Sequence, residues 1–204
     1  MITIPEEVPV MALSNAVLFP HSLLPLHIFE PRYRKMLAYS LDGERMFSIG
    51  LLRRGIEEAE RITDLHPIAG VGLIRACVGN DNGTSNLVLQ GLARVRLLDW
   101  IQEEPFRIAR IEVVESRVPH VIEADALSAK VKELCARIEQ LGLPLPGNLM
   151  EQLKQIDDHE VLADVVASAF INETQHRQQL LEAQDVNERL RLLIQLLRAR
   201  TTNS

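Results

Sequence analysis

The chain reads as an α+β protein: a β-rich subdomain over residues 1–118 with one embedded helix, followed by an α-helical bundle over residues 119–204. Three observations predict this. Eight of the ten glycines lie at or before Gly91, and none follows Gly147. Before Val118 the apolar residues come in strand-length runs broken by turns. After Pro119 they recur three and four apart, which places them on one face of a helix. A chain of 204 residues, 47% hydrophobic and 25% charged, is long enough to bury one large core or two small ones.

VPVMAL (Val8 to Leu13) and RMFSIGLL (Arg45 to Leu52) are short apolar runs. Between them, Pro31 marks the first turn of a helix, with Tyr33, Met36 and Leu37 on its apolar face and Asp42-Gly43 at its end. VGLIRACV (Val71 to Val78) and the run Asn86 to Trp100 flank GNDNGTS, a hairpin signal because Asn82-Gly83 tolerates positive φ. FRIARIEVVE (Phe106 to Glu115) is a further strand, rich in β-branched residues.

The helices follow. Leu127, Val131, Leu134, Cys135, Ile138 and Leu141 share one face, and Gly142 and Pro144 stop that helix within a linker, LGLPLPGN. Asn148 is placed to cap a short helix bearing Leu149, Leu153 and Ile156. Asp157 with Glu160 fits a capping box ahead of Val161, Leu162, Val165, Val166 and Phe170, and Asp185 with Glu188 repeats the pattern. Val186, Leu190, Leu193 and Leu197 form the main stripe of the final helix, read as bundle core. Leu192, Ile194 and Leu196 widen it, which calls for a second partner in the same chain or another.

Bulk properties exclude several classes. The net charge is −6, and neither part is net basic, which argues against nucleic acid as the main partner because phosphate neutralisation supplies most of that affinity. No apolar run reaches the roughly 18 residues of a membrane span, and MITIPEEVPV has no secretory n-region. Cys77 and Cys135 form no CxxC pair and are expected to be reduced thiols of a cytoplasmic protein.

Catalytic patterns are missing. None of the four lysines (Lys35, Lys130, Lys132, Lys154) follows a glycine or precedes Ser or Thr, so there is no P-loop. The six histidines are scattered, without HExxH, and the cysteines lack zinc-ligand spacing, so no metal site or cofactor is expected. His27, inside an apolar run, reads as a core histidine. Lys130 stands two positions after Ser128, and such helical neighbours do not face each other. Acidic residues on the helices read as solvated. The chain is therefore read as having no catalytic residues.

One segment carries a family likeness. Val17-Leu18-Phe19-Pro20 followed by Leu24-Pro25-Leu26-His27-Ile28-Phe29-Glu30-Pro31-Arg32-Tyr33-Arg34 resembles the start of the amino-terminal substrate-binding domain of Lon proteases, where a strand ending in VLFP leads to LPLHIFEPRYR. IGLLR (Ile49 to Arg53), GVGLIRA (Gly70 to Ala76), LVLQGLARVRLLDW (Leu87 to Trp100), QIDDHEVLADVVASAF and LLEAQDVNERLRLLIQLL stand in the same order, so the likeness runs from about Val8 to Leu197. Two positions depart from it. Ala12 stands where the family often has proline, and His21 where it often has glycine, which implies either a turn with negative φ or mild strain.

The resemblance implies a PUA-like β pseudo-barrel followed by a helical bundle. It also implies a non-catalytic module that binds unfolded or tagged polypeptides, with apolar contacts near Phe19, Leu23, Leu24, Ile28 and Phe29. The ATPase and peptidase that follow in a full protease are not in this sequence, which ends at TTNS. Three alternatives stand beside this reading. One is RNA binding, as PUA-like folds elsewhere perform. Another is that the chain is the amino-terminal fragment of an ATP-dependent Lon protease. The third is an adaptor that self-associates through the Val186, Leu190, Leu193 and Leu197 stripe.

Overall fold

The structure is a computed structural model that describes residues 2–142 and 147–202. Its contacts divide the chain into two compact units, with the division between Val114 and Glu115. Pro144 and its neighbours 143–146, assigned above to a linker, lie outside the described residues.

The first unit is built on β1 (Glu7–Leu13), β2 (Leu23–Ile28), α1 (Pro31–Asp42), β3 (Met46–Leu51), β4 (Ile68–Gly79), β5 (Ser85–Gln102) and β6 (Ile108–Val114). The sheet order is β2-β5-β4-β3-β1-β6, and β6 also pairs with β5. The ladders thus lead from β5 through β4, β3 and β1 to β6 and back. The β1–β6 ladder spans only Glu7 to Pro9, so the ring is thinly zipped on that side, as a pseudo-barrel. β3 is buried on both faces, which is why MFSIGL shows no alternation; its one hydroxyl, Ser48, donates to the Gly70 carbonyl at 3.0 Å. Only β1 and β3 run parallel among these pairs, and the chain between them makes the crossover through β2 and α1.

Helix α1 starts at Pro31 and buries Tyr33, Met36 and Leu37, as the spacing predicts. These pack with Met11, Phe47, Ile74 and Leu89. The Tyr33 hydroxyl donates to the Ala12 carbonyl at 3.0 Å, and burial pushes its phenol above the ordinary range. Gly43 ends the helix with φ −108°, so the left-handed conformation falls instead on Arg45, at φ 59°. The hairpin turn between β4 and β5 puts Gly83 at φ 78°.

Residues 17–20 are not the end of a strand. β1 stops at Leu13, and Val17, Leu18 and Phe19 form a buried strap across β4 and β5. A Cβ on Gly70 would lie 2.0 Å from the Leu18 carbonyl oxygen, and one on Gly91 would lie 1.9 Å from that of Phe19. Two glycines in the sheet therefore make the room for the strap. The strap is tied by His21 N–H to the Gly91 carbonyl at 3.0 Å and by Ser22 Oγ to the Phe19 carbonyl at 2.7 Å. His21 has φ 62°, so at the position where the family often has glycine this chain adopts the strained alternative, in the left-handed region that histidine enters more readily than most side chains.

The second unit consists of α2 (Val121–Gln140), α3 (Leu149–Gln155), α4 (His159–Phe170), α5 (Thr174–Glu182) and α6 (Val186–Thr202). In α2, Val131, Leu134, Cys135 and Ile138 are buried, whereas Leu141 is an exposed C-cap. The α4 cap is Asp158, not Asp157: its Oδ1 accepts from Val161 N–H at 2.9 Å. Asp185 does cap α6, accepting from Glu188 N–H at 3.1 Å. Helix α5 has no apolar period, which is why the sequence does not announce it. Its buried side chains are Gln178, Leu180 and Leu181.

One polar centre lies inside this unit. Arg189 and Asp164 are both fully buried, with Arg189 Nη1 3.2 Å from Asp164 Oδ1. Arg189 Nη2 donates to Ser116 Oγ at 2.8 Å and Nε to the Ala183 carbonyl at 3.0 Å. Asp164 is thus an exception to the solvated role expected of acidic residues on the helices. Both cysteines are free, with Cys77 half-buried. Burial pushes the Cys135 thiol up to about 12, and only the thiolate is nucleophilic. Native protein treated with iodoacetamide at pH 8 is therefore expected to keep Cys135 unmodified, with alkylation there appearing only in denaturant. Peptide mapping checks this, and modification of Cys135 in the folded state would contradict it.

Candidate functional site

The segment that carries the family signature is mostly β2, an outer strand of the sheet, paired on one side with β5. Its exposure alternates as a half-buried strand requires: Leu23, Pro25 and His27 face outward, while Leu24 and Leu26 turn toward the α1 core and Ile28 is buried in it. The register then sets out the outer face. Pro25 stands opposite Val88, which stands opposite Ala76; His27 stands opposite Asn86, which stands opposite Val78. These six residues line an open groove of about 470 Å³. Val78 is 64% exposed at its end, and Leu23 and Phe29 are 63% and 61% exposed at the two ends of β2.

The polar groups here serve mainly to hold the groove. His27 is exposed rather than a core histidine. Its Nδ1 lies 2.8 Å from Asn86 Oδ1, and its ring stacks on Phe29 at 6.0 Å between centroids. The pairing fixes the imidazole across the β2–β5 ladder and supports Phe29 in its exposed position. What this face can do chemically is bury apolar side chains and offer main-chain hydrogen bonds. Nothing on it is arranged as a nucleophile with a base.

The five residues singled out in the sequence divide. Phe19 and Ile28 are 0% and 2% exposed, so both belong to the core. Leu24 is half-buried against the same core. Leu23 and Phe29 remain on the surface, near the groove. Val88, Ala76 and Val78 were missed, because their place on this face follows from the β4–β5 register and its bulges, not from any local pattern. On α6, Val186, Leu190, Leu193 and Leu197 are all fully buried. Ile194 is buried too, while Leu192 and Leu196 are half-buried, so the wide apolar surface of this helix is largely used inside the chain.

Another constellation has catalytic residue types. Ser128 Oγ lies 3.0 Å from His159 Nδ1, and Asp125 Oδ1 lies 3.3 Å from His159 Nε2. Ser128 sits on the buried face of α2. The trio ties α2 to the start of α4. Among the described residues no group of three or more His, Cys, Asp or Glu is placed to hold a metal, and no helix is long and apolar enough to cross a membrane.

This architecture, a pseudo-barrel unit followed by a unit with five helices among the described residues, defines a class: it is the fold of solved Lon amino-terminal domains. The N terminal domain of the Mycobacterium avium complex Lon protease superposes with a TM-score of 0.73 at 21% identity, covering 94% of this chain and 98% of that one. The Lon N-terminal domain protein from Xanthomonas campestris gives 0.63 at 18% identity, covering 93% and 97%. In sequence, residues 7–199 match the family described as the ATP-dependent protease La (LON) substrate-binding domain, and the chain belongs to that family. It is 31% identical over 195 residues to the Lon protease of Anaeromyxobacter dehalogenans and 29% identical to Lon protease 2 of Myxococcus xanthus. Each match covers 95% of this chain but only 23% and 24% of those proteins, so the chain spans about a quarter of their length.

Proposed function

We propose that this chain is a non-catalytic recognition module that binds exposed apolar segments of unfolded or tagged polypeptides through the outer face of β2, β5 and β4. The observation that carries the reading is the apolar surface kept open there: Leu23, Phe29 and Val78 stand well exposed beside a groove lined by Pro25, Ala76 and Val88. Contiguous exposed apolar surface marks an interaction site rather than a packing defect. The family's description as a substrate-binding domain supports the same reading. In this reading the module selects polypeptides, and any cleavage is performed by residues outside the sequence described here. The free thiols fit a reducing compartment, the cytoplasm.

The test is capture of a chemically denatured, labelled polypeptide by the purified chain. Leu23→Lys and Phe29→Lys are each expected to weaken capture about tenfold, the effect of losing roughly 1.4 kcal/mol of contact. Their unfolding midpoints should stay within a degree or two, because exposed positions contribute little to stability. Absence of capture by the unaltered chain across varied denatured polypeptides would overturn the proposal.

A further inference from the structure

β2 begins the sheet order, and no described strand pairs with its outer side. The direction of its main-chain groups can be fixed. Gly91 N–H donates to the Ser22 carbonyl at 2.9 Å, and these two residues continue the β2–β5 register back by one position from Leu23 opposite Gln90. Hydrogen-bonded pairs alternate with non-bonded pairs along an antiparallel ladder. Leu24, Leu26 and Ile28 therefore bond to β5, and the main-chain groups of Leu23, Pro25 and His27 point to the open edge. Pro25 agrees with this phase, since proline in a strand sits where its missing N–H would face solvent. The edge thus offers the N–H groups of Leu23 and His27 and the carbonyls of Leu23, Pro25 and His27. The side chains of the same three residues lie on the exposed face beside Val88 and Asn86.

We propose that this edge takes an extended segment of client polypeptide as an added strand, so that recognition is carried by main-chain hydrogen bonds and tuned by the apolar face. The proposal rests on the polypeptide-binding reading above and gives it a mechanism. Main-chain groups are common to every polypeptide, so strand addition suits a module that must accept many sequences. The row Pro25, Val88 and Ala76 continues onto every second residue of the guest and favours apolar side chains there. A client is a better occupant than a second copy of this chain. Two copies joined edge to edge would bring two prolines to the seam and lose a donor from each, whereas a client brings a full set.

The test uses the whole chain and a labelled seven-residue peptide alternating valine with threonine, flanked by lysines for solubility. Single N-methyl groups are placed at each amide in turn. Methylation at alternate amides is expected to weaken binding at least tenfold, and methylation at the intervening amides less than twofold. A flat response to methyl position would overturn strand addition while leaving polypeptide recognition standing. So would capture of denatured polypeptide without binding of the strand peptide. Absence of binding to either would overturn both readings. A stable dimer of the chain that Leu23→Lys dissociates would assign the edge to a second copy and overturn the proposal.

Discussion

Replacing Gly91 by alanine is expected to destabilise the β-rich unit by about 3 kcal/mol, the upper part of the range for overpacking a closed interior. The added carbon would lie 1.9 Å from the Phe19 carbonyl oxygen and 2.8 Å from its carbon. Both are backbone atoms, so no side chain can rotate away. The strap cannot lift cheaply either, because His21 and Ser22 bond it on both sides of Gly91. Gly91 is not in the left-handed region, so the penalty is one of space alone. Gly79→Ala is the control: nothing lies within 4 Å of its added carbon, and its φ is also not positive. Trp100, the only tryptophan, lies in β5, so its fluorescence during urea unfolding reads this unit selectively. A loss below about 0.5 kcal/mol, the scatter of ordinary surface changes, would mean that the strap does not lie against the strand.

The second large effect concerns the helical unit. Arg189→Ala is expected to cost about 3–5 kcal/mol, because it removes the guanidinium that lies 3.2 Å from the fully buried Asp164 carboxylate and 3.7 Å from Glu160. Ser116 Oγ and the Ala183 carbonyl lose a partner at the same time. Replacing the pair together, Arg189→Met with Asp164→Leu, is expected to recover most of the loss, since a buried ion pair earns little net stability over apolar residues of similar volume. Helical circular dichroism during urea unfolding measures both. The account fails if the single variant loses less than about 1 kcal/mol.

Much of this fold was legible because the decisive signals are local. Pro31, the Asn82-Gly83 turn, the Asp185 cap and the helical spacing of Val131, Leu134, Cys135 and Ile138 each act within a few residues of themselves. The strap passes for a strand end because Val17, Leu18 and Phe19 form an apolar run like one. What holds them is the space left by Gly70 and Gly91, more than 50 residues away. Asp164 and Arg189 escaped for a similar reason: each looks like a surface charge until the other is brought beside it. The candidate site was half legible. The family signature led to β2, but among its apolar residues only strand phase separates Leu23 from Ile28, and only the β4–β5 register adds Ala76, Val78 and Val88.

The ladder pattern also orders the assembly of the pseudo-barrel in time. β4 and β5 are joined by the short turn at Asn80–Thr84, so their long ladder closes at small entropic cost. β5 then serves as template for β6, its neighbour in sequence, and for β2, which must return from some 60 residues upstream. The seam between β1 and β6 joins residues about a hundred positions apart through pairs at Glu7, Val8 and Pro9, with Glu6 and Val10 bonded to Ile111 and Arg107 on either side. A contact so distant and so short has the least to gain early, so hydrogen exchange is expected to find its amides protected last on folding and opened first on unfolding.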